Sequence, residues 1–227
     1  MTDQEECTSA ELYRASVRAI RQYLTHAREC RRADRLERAG AYYVAAAMGN
    51  QMRLRPSPEN TSIDEPVGVW PTAFGYAVEN LFAGALCYRL ADAPTQCRRY
   101  ARRGHDLATE LFEAGVFEGA REGLLHEVRG DFRVLGGLDE PDPAYERAAE
   151  HYREAETDLG WQMEDDFDAV SRYVVELAHS AEYGLDETTR EKITRRSLAA
   201  RIQYKRAELP GILDAVIADG NWESETL

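Results

Sequence analysis

Lysine is nearly missing from this chain of 227 residues: Lys192 and Lys205 are the only two, so arginine supplies almost all of the 28 basic positions set against 41 acidic ones. The formal net charge is -13. Lysine carries a long apolar stem, whereas carboxylates hold water and counterions, and a high net charge opposes self-association where salt screens most surface interactions. The composition points to a halophilic, archaeal source, and stability that rises with salt is the expectation. Cysteine is equally sparse in pattern. Cys7, Cys30, Cys87 and Cys97 form no CxxC pair, and the N-terminus opens on the acidic run Asp3 to Glu6 rather than a signal peptide. A reducing, cytoplasmic location is expected, without a disulfide framework.

Long apolar runs are missing too. The longest uncharged stretches, Ala39 to Met52 and Pro66 to Val78, fall short of the ~18 residues of a membrane span, so no membrane association is expected. Asn60-Thr61-Ser62 matches a glycosylation sequon, expected to be a coincidence because no export signal is expected. Nowhere do apolar and polar residues alternate between turn signals as a strand requires. No glycine-rich phosphate loop, nucleophile elbow or Ser/His/Asp arrangement is present.

What remains is helical periodicity. Tyr13, Val17, Ile20, Leu24 and Ala27 recur at spacings of three and four, behind the capping residues Thr8 and Ser9, and predict a helix to about Arg32. A second helix is expected over 34–54. Residues 55–71 hold Pro56, Pro58, Pro66 and Pro71, which remove backbone donors and fix φ too often for a regular element. This Pro-rich loop could divide 1–54 from 72–227, although a single domain over 1–227 is the simpler organisation. Further helices are expected over 72–90, 95–113, 117–135, 143–159, 164–182 and 186–208. Gly115 closes one hairpin, Asp142 and Pro143 open a helix, and Pro210 begins a short final one.

Successive hairpins with short turns cannot each bury an apolar face alone, so they are expected to stack. Tyr145, Ala148, Tyr152 and Ala155, spaced three, four and three, resemble the second helix of a tetratricopeptide repeat (TPR), and Gly130-Asp131 looks like the glycine and acid of its first helix. Gly84, Ala91-Asp92, Cys97, Ala101 and Gly104 are a weaker echo, and Ala39-Gly40 with Tyr43 a fainter one. Hairpin turns near residues 33, 92, 139 and 184 depart from a 34-residue period. The resemblance implies an all-α, irregular TPR-like α-solenoid of about eight or nine helices that binds a protein or peptide. The competing expectation is an ordinary helical bundle.

Catalytic chemistry is hard to find. His26 and Cys30 lie four apart on one helix face, yet two ligands make no metal site and no second pair exists. Arg21 to His26 and Arg121 to His126 match the R-x4-H spacing of HEPN-type ribonucleases, and Arg99 to His105 fits their looser range, although a chain this rich in arginine produces such spacings by chance. Glu164-Asp165-Asp166-Phe167-Asp168 clusters carboxylates at a helix start, where the backbone dipole favours them. Neither a cofactor nor an enzymatic activity is expected.

Charge asymmetry carries more. From Ala10 to Arg55 there are ten arginines against Glu11, Glu29, Asp34 and Glu37, a local balance of +6. Arg98, Arg99, Arg102 and Arg103 form a second basic cluster. If the hairpins stack, Arg14, Arg18, Arg21, Arg98 and Arg102 could line a groove whose guanidinium forks grip carboxylates or phosphates. The expected partner is an acidic peptide or protein, with RNA second. Pairing of these arginines with neighbouring acids on a solvated surface is the alternative.

Overall fold

The computed structural model describes residues 9–54, 69–155, 164–181, 198–220 and 222, and among them every regular element is an α-helix. These are α1 (Ser9–Arg32), α2 (Leu36–Met52), α3 (Val69–Leu90), α4 (Pro94–Glu113), α5 (Ala120–Gly136), α6 (Asp142–Ala155), α7 (Glu164–Ser180) and α8 (Leu198–Asp219). Most of the Pro-rich loop, the sequon, Cys7, Gly184 and the expected helical stretch 186–197 lie outside the described residues.

Two of the expected boundaries move at prolines. Helix α3 starts at Val69 rather than Thr72, because Pro71 falls in the first turn, where a missing N–H breaks no intrahelical bond. Helix α8 runs through Pro210 instead of ending before it. Pro210 is exposed, so the carbonyl it leaves unpaired one turn back can be satisfied by water.

The first two hairpins share one turn. Asp34 and Asp92 adopt left-handed φ values of 55° and 53°, a conformation that aspartate tolerates better than most residues. The N–H of the following residue returns to the preceding helix in each: Arg35 to Cys30 O and Ala93 to Tyr88 O, both at 2.8 Å. Helices α1 to α6 pack in chain order, each on the next. Helix α3 lies between α2, α4 and α7 and is mostly buried and apolar, as a helix packed against three neighbours must be. Its crossing with α2 is close because Gly40 faces Gly84, and a Cβ on Gly40 would stand 3.1 Å from the Gly84 carbonyl oxygen. Between α4 and α5 the far end of the Phe132 ring abuts Gly104, 2.2 Å from where a Cβ would be.

The last two helices do not extend this series. Helix α7 packs on α3, placing Tyr173 in a stack with Phe82 at 4.2 Å between centroids. Helix α8 then crosses the molecule. Near its start it meets α5, α6 and α7; further on, Asp214 reaches Arg89 of α3 at 3.7 Å, and Trp222 beyond its end sits under the Arg31 guanidinium of α1 at 4.7 Å. One continuous apolar core runs from Ala27 to Trp222.

Where α8 meets α5 the interior is ionic. Glu127 and Asp131, one helical turn apart on α5, are fully buried, as are Arg201 and Lys205, one turn apart on α8. Arg201 Nη2 donates to Glu127 Oε2 at 2.6 Å, and Lys205 Nζ lies 2.6 Å from both Glu127 Oε1 and Asp131 Oδ2. Three phenols complete the network: Tyr145 and Tyr173 donate to Asp131, and Tyr152 donates to Glu127. Burial drives the Glu127 pKa up, but Arg201 and Lys205 more than offset it, holding the carboxyl below its ordinary value. Asp131 moves the other way: burial and the Glu127 charge outweigh Lys205 and push it up. Burial and these acids raise all three tyrosines well above their usual range, keeping them neutral donors.

Glu79 of α3 is the contrasting buried acid. It is 4% exposed, its nearest cation is Arg172 Nη1 of α7 at 3.6 Å, and Glu176 on the same helix adds a like charge. Burial, only partly offset by Arg172 and Arg28, lifts this carboxyl to about 7.

Candidate functional site

Helix α4 places its chemistry by periodicity. Cys97, Ala101, Gly104, Leu107, Ala108 and Leu111 fall on the buried face, so Arg98, Arg99 and Arg102 are turned outward with Arg103 at the boundary. Against α2 this outer face forms an open cleft of about 480 Å³, lined by Met48, Thr95, Tyr100, Asp106 and the four arginines.

The four guanidinium groups are not equivalent. Arg103 is committed, donating to Gln51 Oε1 at 3.0 Å and to Glu110 Oε1 at 3.1 Å. Arg99 lies over the Tyr100 ring at 5.6 Å, and Tyr100 stacks on Tyr88 at 5.4 Å, so the cleft wall is braced by aromatic contact with α3. Arg98 and Arg102 form no ion pair among the described residues. The one carboxylate in the lining is Asp106, 3.3 Å from His105. In a chain with thirteen surplus negative charges, two unpaired arginines beside an apolar floor of Met48 and Tyr100 make a face that attracts anions.

No family model, curated protein or solved structure matches this chain. What the site can do therefore rests on its own side chains.

Of the five arginines expected to line one groove, the fold brings Arg98 and Arg102 together. Arg14, Arg18 and Arg21 are exposed on α1 and none lines the cleft, which is built from α2 and α4 alone. His26 is also exposed, 3.2 Å from Glu29, whereas Cys30 is buried, so their spacing does not converge on a common ligand position. No group of three or more histidine, cysteine, aspartate or glutamate side chains able to hold a metal occurs among the described residues. No helix among them is long and apolar enough to cross a membrane.

A second basic cluster escaped sequence reasoning because its members come from three helices. His105 is on α4, His126, Arg129 and Arg133 are on α5, and Arg147 and His151 are on α6. His126 is 1% exposed, wedged between the Phe112 ring at 4.7 Å and the His151 ring stacked on it at 5.4 Å. Burial, then Arg129, His151, Arg147 and Arg133, push its pKa down to about 4. The neutral ring accepts through Nδ1 from Arg129 Nη1 at 3.2 Å, since a guanidinium can only donate. Burial and the neighbouring positive charges also lower His105 and Arg129, against the hydrogen bond that His105 donates to Asp106 and the charge of Glu113 near Arg129. His126 belongs to one of the two R-x4-H spacings, and its burial takes it away from solvent.

Proposed function

We propose that this chain is a non-catalytic interaction module, an irregular TPR-like stack of helix hairpins closed by α7 and α8, whose α2/α4 cleft binds an acidic peptide or protein. The observation that carries the reading is the pair Arg98 and Arg102, unpaired among the described residues and standing beside Met48 and Tyr100. Guanidinium forks over an apolar floor favour a carboxylate-bearing chain that also offers an aromatic or aliphatic side chain. The net negative charge of the chain disfavours non-specific binding of the same partner.

The reading is tested with a fluorescein-labelled peptide alternating glutamate with aromatic residues, followed by anisotropy. The variant Arg98→Glu with Arg102→Glu should bind more than tenfold more weakly, while reversal of Arg14, Arg18 and Arg21 should matter less. Equal affinity of the cleft variant and the parent sinks the proposal. A helical RNA-associated protein, including a HEPN-like nuclease, is the second reading, favoured by the same arginines because phosphates suit them equally. Tighter binding of a short RNA than of the peptide, with a steep salt dependence, would select it.

A further inference from the structure

We propose that the face of α5 that carries Arg129 and Arg133, with Arg147 of the neighbouring α6, binds the phosphate group of a small phosphorylated molecule beside the stacked pair His126 and His151. This site is separate from the α2/α4 cleft and does not depend on the reading given for it.

Three observations converge on it. The first is the balance of charge. Arg129, Arg133 and Arg147 form no ion pair among the described residues, although acids outnumber bases in the chain by thirteen. Of the nearby carboxylates, Glu122 is 3.4 Å from His151, Asp106 pairs with His105, and the exposed Glu113 only partly offsets the positive charge around Arg129.

The second is the state of the donors. The Nε–H groups of Arg129 and Arg133 are buried and have no acceptor among the described residues, while Nη1 of Arg129 donates to a histidine nitrogen and Nη1 of Arg133 to the Glu140 carbonyl oxygen at 3.1 Å. A buried donor without an acceptor is costly, and a compact oxyanion is the group that answers several such donors at once.

The third is mutual repulsion. Arg129 feels Arg133 and Arg147, and His126 feels all three together with His151. One carboxylate neutralises a single charge, whereas a phosphate monoester brings nearly two and accepts from several directions, which is why phosphate is the ligand chosen. Phe112 of α4 and His151 of α6 cover the His126 ring, whereas Arg147 is exposed and open to a ligand.

The full chain is titrated with inorganic phosphate and, separately, phenyl phosphate, against potassium chloride at matched ionic strength. The readouts are the thermal midpoint and the NMR titration of the histidine ring protons. Both phosphates should raise the midpoint beyond chloride, and occupancy should raise the His126 pKa, because the bound dianion offsets the charge of Arg129, Arg133 and Arg147 on α5 and α6. Preference for inorganic phosphate identifies the free ion as the ligand, and preference for phenyl phosphate identifies an ester. Arg147→Gln, at an exposed position that folding tolerates, should weaken binding at least fivefold, while Arg98→Gln with Arg102→Gln should leave it unchanged. The proposal is overturned if phosphate does no more than chloride, if Arg147→Gln binds as tightly as the parent, or if a short RNA at equal phosphate concentration outcompetes both probes.

Discussion

Arg201 and Arg98 are the same side chain under opposite conditions. Arg201 is 1% exposed and held 2.6 Å from Glu127, inside a network of two acids, two bases and three phenols that leaves little of its charge unmatched. Arg98 stands in water on α4 with no ion pair among the described residues. Taking a guanidinium out of water is so unfavourable that it persists inside only where geometry returns the loss, and such a group specifies how helices assemble. Leaving one in water costs almost nothing and contributes almost nothing to folding. The interior ions therefore report on how α8 finds α5, while the surface ions report on what the molecule meets.

The sharpest way to break this contrast is Lys205→Met. It leaves Glu127 with Arg201 but takes from Asp131 its cation, so that Asp131 keeps only its phenol donors, and a loss of about 3–5 kcal/mol in urea unfolding is expected. Replacing Glu127, Asp131, Arg201 and Lys205 together with apolar residues of similar volume should recover most of that loss. A single-variant loss under about 1 kcal/mol would mean that the network does not secure α8.

Glu79 sharpens the comparison from the acid side. Its carboxyl is raised in the folded chain from 4.5 to about 7, so the folded state binds the proton more tightly than the unfolded one. The resulting stabilisation is fully present below pH 4.5 and is lost as pH rises through about 7. Glu79→Gln should flatten this dependence and exceed the parent at pH 8 by up to about 3 kcal/mol, read from denaturation midpoints between pH 5 and 8. An unchanged slope would show that Arg172 and Arg28 already satisfy the acid.

The smallest effect belongs to the surface. Arg98→Ser with Arg102→Ser should change unfolding free energy by no more than about 0.5 kcal/mol. A larger change would mean that these arginines hold α4 to α2.

How much of this could be seen beforehand depends on whether a signal is local. Helical periodicity placed α1, α4 and α7 within a few residues, and the Tyr145, Ala148 and Tyr152 stripe is buried against α5, where Gly123 and Gly130 receive the two rings. Arg98 and Arg102 were legible as a pair because both are on one helix. The Lys205 contacts were not, since they link residues 74 apart to Asp131, and nothing in the sequence says which of 41 acids a lysine will meet. The histidine cluster was hidden for the same reason. Pro210 misled because a proline breaks a helix only where its lost bond cannot be replaced by solvent.

One consequence concerns amine chemistry. With two lysines in the whole sequence, and one of them wholly enclosed against α5, a reagent that acylates primary amines meets Lys205 only in molecules whose last helix has come away. The scarcity of lysine thus turns a single nitrogen into a reporter of whether the strap across the fold is shut.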